Sequence, residues 1–357
     1  MTKPATTYRF EIKLDCEDSY GNQVKDIYPG QPIKGEVIGH FDNRIDVENI
    51  TIILNGVSKV GFSKKKDEYI TCPNDYDSEA FQKYSSILPI VKKEQQLYKA
   101  KKKEKSLGPG TKKWNFIFPT DKGWPATFTG HMGKIKYYLI CNVDMLHNIR
   151  YSCKKKVKLS SYATHKDMTQ TKKGILKKKD FQIQPTSGKV KDEHKLFVEV
   201  THLRNSYYMN DVLNYSIKLK NMTDMNLGRA IISLKQDKSF EGLREEEHSG
   251  MPEEFRHTRR AVLAREVKDL VNVEKVTAKG GGSVINLEGA LNFKDADPDF
   301  NFKKGNIDTK TFLVVEVEPP TGVNFANPVE IESEISIKNI PEKNSIIQPL
   351  RRKKFCC

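Results

Sequence analysis

Apolar residues in this chain recur at every second position over long stretches, a period that an α-helix cannot turn into one buried face. In residues 134–143 the odd positions Ile135, Tyr137, Leu139, Cys141 and Val143 form an apolar set. Tyr215, Ile217 and Leu219 alternate with Asn214, Ser216, Lys218 and Lys220, and Ile50, Ile52 and Leu54 alternate with Thr51 and Asn55. Period two marks strands with one buried face and one wet face. About a dozen such runs, punctuated by Gly, Pro, Asn and Asp, predict an all-β chain built of sandwiches.

A length of 357 residues sets a prior of about two domains. The two halves also resemble each other at an offset of 180 positions: Ile33, Gly35 and Val37 align with Leu213, Tyr215 and Ile217, and Val47, Ile52 and Leu54 align with Leu227, Ile232 and Leu234. One sandwich used twice is expected. The expected division is a first sandwich over residues 1–176, a second over 177–342, and a basic tail over 343–357. Gly30 and Asn210 sit at corresponding turns, where a left-handed backbone favours these residue types. Two segments interrupt the pattern. Residues 63–113 read as a basic insert holding a short helix, capped by Asp77 or Ser78 ahead of Phe81 and interrupted by Pro89. Residues 241–254 read as a charged loop.

The net charge of +15 favours anionic partners: acidic lipid headgroups, phosphorylated tails or nucleic acid. The aromatics fall on buried-face positions instead of interleaving with the lysines, so a nucleic-acid stacking surface is not expected. No apolar segment follows the N-terminal residues, and no run approaches the roughly 20 apolar residues of a spanning helix, so a cytoplasmic chain is expected. Cys16, Cys72, Cys141 and Cys153 are scattered singly and read as free thiols. Asp295, Asp297 and Asp299 lack the glycine and distal glutamate of a calcium loop and read as an acidic connection. No nucleophile elbow, phosphate-cradling loop or zinc-protease motif is present. No catalytic residue, metal or cofactor is expected.

Several segments carry a family likeness. Tyr28-Pro29-Gly30-Gln31 leads into a strand from Ile33 to Val37, and Ile50 to Leu54 is followed by Asn55-Gly56 as a turn. Gly108-Pro109-Gly110 opens a run that ends Phe118-Pro119. Phe128-Thr129-Gly130-His131-Met132-Gly133-Lys134-Ile135-Lys136-Tyr137 is similar to the Phe-x-Gly-x-x-Gly-x-Ile-x-Tyr signature of the first arrestin domain, and Leu287-Glu288-Gly289-Ala290-Leu291 resembles a strand of the second. The chain thus resembles the arrestin family, nearer its broader arrestin-domain group than the visual and beta arrestins. The resemblance implies two tandem immunoglobulin-like sandwiches and non-catalytic adaptor work, binding cytosolic tails of membrane proteins and passing them to sorting machinery. Pro32 and Ile33 stand where visual and beta arrestins carry an Arg-Asp pair, so a phosphate-triggered switch is not implied. Pro319-Pro320-Thr321-Gly322 lacks the tyrosine of a ligase-recruiting motif.

The candidate sites are surface sites. Cys356 and Cys357 follow Arg351, Arg352, Lys353 and Lys354, a pattern suited to lipidation beside an anionic leaflet. Lys101, Lys102 and Lys103 form another membrane or phosphate candidate, with further runs at 64–66, 154–156 and 177–179. Leu270, Val271, Val273 and Glu274 fit a clathrin-box-like pattern, but their alternation reads better as an ordinary strand. The function expected is a trafficking adaptor peripheral to the plasma membrane or endosome. The alternatives are a coat subunit, like the arrestin-fold component of the retromer cargo complex, and a basic nucleic-acid-binding protein.

Overall fold

The computed structural model describes residues 8–17, 26–65, 70–71, 81–100, 106–161, 175–183, 195–208, 211–223, 225–244, 254–271, 276–277, 282–293, 296, 299, 305–320, 325 and 328–338. The strands of the N-terminal half are β1 (Tyr8–Leu14), β2 (Ile33–Phe41), β3 (Ile45–Lys65), β4 (Ile70–Thr71), β5 (Phe81–Lys99), β6 (Ser106–Leu107), β7 (Gly110–Phe118), β8 (Phe128–Thr129), β9 (Gly133–Met145) and β10 (Arg150–Val157). Those of the C-terminal half are β11 (Ile175–Gln182), β12 (Lys195–His202), β13 (Ser206–Tyr208), β14 (Val212–Asn221) and β15 (Arg229–Arg244). They continue as β16 (Glu254–Asp269), β17 (Val276–Thr277), β18 (Ser283–Asn292), β19 (Ile307–Glu318) and β20 (Val329–Lys338). One short 3-10 turn, Leu146–Asn148, joins β9 to β10. No helix among the described residues is long and apolar enough to cross a membrane.

Three sheets carry these strands. β1, β2 and β7 form one, and β11, β12, β14, β18 and β17 form another. The third runs β10-β9-β3-β5-β15-β19-β20-β13 and therefore passes from the N-terminal half into the C-terminal half, where Ser85 and Tyr84 of β5 pair with Leu243 and Arg244 of β15. Alternation explains the packing. Ile135, Tyr137, Leu139, Cys141 and Val143 of β9 are fully buried in one cluster with Ile50, Ile52 and Leu54 of β3. Leu213, Ile217 and Leu219 are buried in a second cluster with Ile232, Leu234 and Leu313. Gly30 adopts φ +91° in the turn before β2, the left-handed conformation its position demands.

Several expectations need correction. The segment from Phe81 to Pro89, expected in a helix, is strand β5, antiparallel to β3; residues 72–80 lie outside the described residues. Much of the expected insert is therefore sheet. Gly56 is not a turn but lies inside β3, which continues to Lys65. A Cβ at Gly56 would sit 2.7 Å from the Tyr137 ring and 2.8 Å from Val91, so the glycine admits the tyrosine across the strand. Glu241 to Arg244 and Glu254, expected in a charged loop, lie in β15 and β16, where they pair with each other or with β5; residues 245–253 lie outside the described residues.

Tyr137 locks this region: its hydroxyl donates to the Pro125 carbonyl at 2.7 Å and its ring stacks on Trp124 at 6.0 Å. Tyr137→Phe keeps the ring and orphans the buried carbonyl, which costs roughly 1–2 kcal/mol. Urea denaturation should show a lower midpoint with an unchanged slope.

Candidate functional site

The sheet face opposite the first core carries a cationic surface. Inward and outward side chains alternate along each strand. On β10 the outward residues are Arg150, Ser152, Lys154 and Lys156, and on β9 Lys134, Lys136, Tyr138 and Ile140. Lys154 stands opposite Ile140, Lys156 opposite Tyr138, Lys136 opposite Val57, and Lys134 opposite Lys59; Lys92 of β5 stands opposite Asn55. The result is a half-buried apolar strip of Ile53, Val57, Tyr138 and Ile140 set among six lysines. Lys154 lies over the Tyr138 ring at 3.7 Å. Lys59, Lys92, Lys134, Lys136 and Lys156 have no acidic partner among the described residues, whereas Arg150 is bound to Asp144 at 2.6 Å. On the same sheet in the C-terminal half the charges are cross-paired: Lys235 with Glu316, Arg229 with Glu318, and Arg260 with both Asp237 and Glu332. Unpaired lysines beside exposed apolar atoms suit a polyanionic surface that also offers apolar contact.

The second notable site is the seam between the halves. Phe240 of β15 and Ile307 of β19 are buried in the first core although they belong to the C-terminal half. They occupy the space that a side chain at Gly133 would take: a Cβ there would lie 2.8 Å from Ile307 and 3.0 Å from the Phe240 ring. Phe128 faces Phe240 at 6.4 Å. Asn306 completes the seam, accepting from the buried Ser58 hydroxyl at 2.5 Å and donating to the Ser86 hydroxyl at 3.1 Å. Nearby, Phe62 stacks on Tyr84 at 5.4 Å, Phe255 packs on Tyr84 at 5.1 Å, and Lys64 lies over the Phe255 ring at 4.6 Å. The two glycines of the Phe-x-Gly-x-x-Gly segment thus differ in role, Gly130 lying in a tight connection onto Gly133 and Gly133 admitting the other half.

Asp299 is the third. Expected in an acidic connection, it is instead 4 % exposed. Its carboxylate accepts from Gln236 Nε2 at 3.1 Å, the Thr311 hydroxyl at 2.7 Å and the Ile337 amide at 2.8 Å, and its carbonyl accepts from Lys338 Nζ at 2.7 Å. Desolvation pushes its pKa up to about 7, against these hydrogen bonds and the Lys338 charge, which pull it down. Asp295 and Asp297 lie outside the described residues.

Most of the sequence-predicted site residues also lie outside them: Lys101, Lys102, Lys103, Arg351, Arg352, Lys353, Lys354, Cys356, Cys357, Val273 and Glu274. Leu270 is fully buried in the second core and its amide donates to the Gly228 carbonyl at 2.9 Å, while Val271 is 52 % exposed. The lysine runs resolve differently from one another. In 154–156, Lys154 and Lys156 point outward and Lys155 turns in to Glu17 at 2.8 Å. In 177–179, Lys178 pairs with Glu199 at 2.6 Å, and all three lysines line a cleft of about 490 Å³ with Glu330 and Glu332. Run 154–156 was a candidate in the sequence, but Lys59, Lys134 and Lys136 were missed because the face draws its members from four strands. The available signal was the lysine at alternate positions in Lys134-Ile135-Lys136 and Lys154-Lys155-Lys156.

Packed, largely antiparallel sheets around two cores, joined through a glycine-gated seam, define a protein of the tandem β-sandwich class. Residues 16–166 match the family described as the arrestin (or S-antigen) N-terminal domain. Over that span the chain is similar to the arrestin N-terminal domain, and its nearly all-β sheets agree with the β-sandwich fold that such a domain implies. All six lysines of the cationic face lie within the matched residues. No curated protein matches the chain. Arrestin-family proteins are generally non-catalytic and bind tails of membrane proteins.

Proposed function

We propose that this chain is a non-catalytic trafficking adaptor that docks on anionic membrane through the lysine face of β10, β9, β3 and β5 while holding the cytosolic tail of a membrane protein. The observation that carries it is five lysines, without acidic partners among the described residues, on one sheet face of the segment that matches the arrestin N-terminal domain. A cation near an anionic leaflet contributes about 1 kcal/mol. Several together give a usable affinity, with the half-buried Ile53, Val57 and Ile140 adding apolar contact. In this proposal the tail residues Arg351, Arg352, Lys353 and Lys354 add charge, and acylated Cys356 and Cys357 convert reversible docking into stable anchoring.

The test is co-sedimentation of purified protein with vesicles containing phosphatidylserine or a phosphoinositide, against phosphatidylcholine alone. Lys134→Ala, Lys136→Ala and Lys156→Ala together should weaken binding to the anionic vesicles by roughly a hundredfold. Binding that is unaltered by the three changes would overturn the docking face. In cells, Cys356→Ser/Cys357→Ser should move the chain from the membrane fraction to the supernatant. Proximity labelling from the N-terminus should enrich membrane proteins and sorting components.

A further inference from the structure

Cys141 and Cys153, twelve positions apart and unremarkable in the sequence, stand directly opposite each other on β9 and β10. Both belong to the inward-facing sets of their strands, with Leu139 facing Lys155 and Val143 facing Tyr151 on either side. Cys141 is fully buried in the first core, and Cys153 is half-buried against that core on β10, which among the described strands pairs with β9 alone. Both are thiols. Directly opposed residues of an antiparallel pair have Cβ atoms about 4.5–5.5 Å apart. A disulfide wants about 3.5–4.5 Å. An outer strand held on one side closes such a gap more readily than a strand paired on both.

We propose that Cys141 and Cys153 form an oxidisable dithiol, a modification site that closes to a cross-strand disulfide when the chain meets a peroxide. The two thiols are not equivalent. The Cys141 thiol donates its hydrogen to the Cys153 sulfur, and this, more than the opposing effect of burial, pulls the Cys153 pKa down. The same hydrogen bond, with burial, pushes Cys141 up. Cys153 is therefore the attacking thiolate, and it is also the more exposed of the two. Its sulfur attacks one peroxide oxygen, the O–O bond breaks, hydroxide leaves, and a sulfenic acid forms. The Cys141 sulfur then attacks the sulfenic sulfur, losing its proton as water departs. Two thiols and one hydrogen peroxide give one disulfide and two waters. The staple fixes β10 against β9, the two strands that present Lys134, Lys136, Lys154 and Lys156.

The test treats the full chain with equimolar hydrogen peroxide, blocks remaining thiols with iodoacetamide, and maps the tryptic peptides without reduction. Trypsin cuts after Lys136, Arg150 and Lys154, so Cys141 and Cys153 fall on separate peptides. The expected product is those two peptides joined with the loss of two hydrogens, separated again by dithiothreitol. Cys16→Ser should leave the product unchanged, and Cys153→Ser should abolish it. Recovery of Cys141 and Cys153 on separate alkylated peptides from the treated wild-type chain would overturn the proposal. So would their recovery as sulfinic acids, or a disulfide that joins either one to another cysteine instead.

Discussion

Phe240→Ala will destabilise the chain by about 3–5 kcal/mol, the cost of emptying a buried phenylalanine site. It should do so in the N-terminal half, although Phe240 is on β15 of the C-terminal half. The ring is 3 % exposed and belongs to the first core with Ile307, against Gly133 and Phe128. Hydrogen exchange should show lost protection along β9 and β3, where a second-core truncation such as Leu234→Ala spares them and exposes β14 and β19. The reciprocal change sharpens the point. Gly133→Ala places a methyl group 2.8 Å from Ile307 and 3.0 Å from the Phe240 ring, and overpacking of this kind costs about 1–3 kcal/mol. With Phe240 already alanine, the added methyl enters vacated space, and the double variant should be more stable than the sum of the single losses. Strict additivity, measured by urea denaturation of the four proteins, would show that the two residues do not meet across the seam. For the proposed adaptor a seam of this build matters, because Gly133, Phe240 and Ile307 pack the two halves against each other.

The sequence makes the strands and the two cores legible because alternation is undisturbed where both neighbours in the sheet are regular. Ile135 to Val143 and Leu213 to Leu219 are buried at every second residue, as their pattern implies. Strand β5 was illegible for a physical reason. The register between β3 and β5 shifts at Ile50/Thr51 and at Gly56/Val57, and each bulge flips which residues face inward. Among the described side chains of β5, Tyr84 and Val91 are buried apolar positions, while Ile87 is 66 % exposed, so the segment reads as polar and broken. The sites were harder to see. Ser58 and Asn306 are 248 positions apart, and no local pattern announces their contact. The lysine runs were visible as composition, but a run is divided by the pleat, and two of the three lysines in 154–156 face the cationic surface for a reason that only strand pairing reveals. Gly133 was visible as part of a motif; that its missing side chain admits the other half of the chain was not.

Asp299 should make the C-terminal half more stable in mild acid than at neutral pH. An aspartate ordinarily titrates near 3.8, and burial pushes this one up to about 7 in the folded chain. A folded-state pKa above the unfolded value means that the fold favours the protonated form. The associated stability is complete below the unfolded pKa and is lost as pH rises toward the folded one, across pH 4 to 7. A shift of this size corresponds to roughly 4 kcal/mol over the window. His202 acts in the opposite sense near its own ordinary pKa. It is buried, with Nδ1 bonded to the Arg204 carbonyl and Nε2 facing the Ser333 hydroxyl, and desolvation lowers its pKa, so acid destabilises the fold through it. The raw pH profile therefore mixes both, and a variant separates them. Asp299→Asn preserves shape and an acceptor for the Ile337 amide while removing the titration. The difference in unfolding free energy between the parent and Asp299→Asn should rise in favour of the variant from pH 5 to pH 8. A difference that stays flat across that range would mean Asp299 is ionised throughout, its charge sustained by Thr311, Gln236, Ile337 and Lys338. Asp299→Ala leaves the Gln236, Thr311 and Ile337 donors without their acceptor and should cost roughly 3 kcal/mol. Because the Ile337 amide near the end of β20 donates to the Asp299 carboxylate, that loss should register first as exchange of the β20 amides.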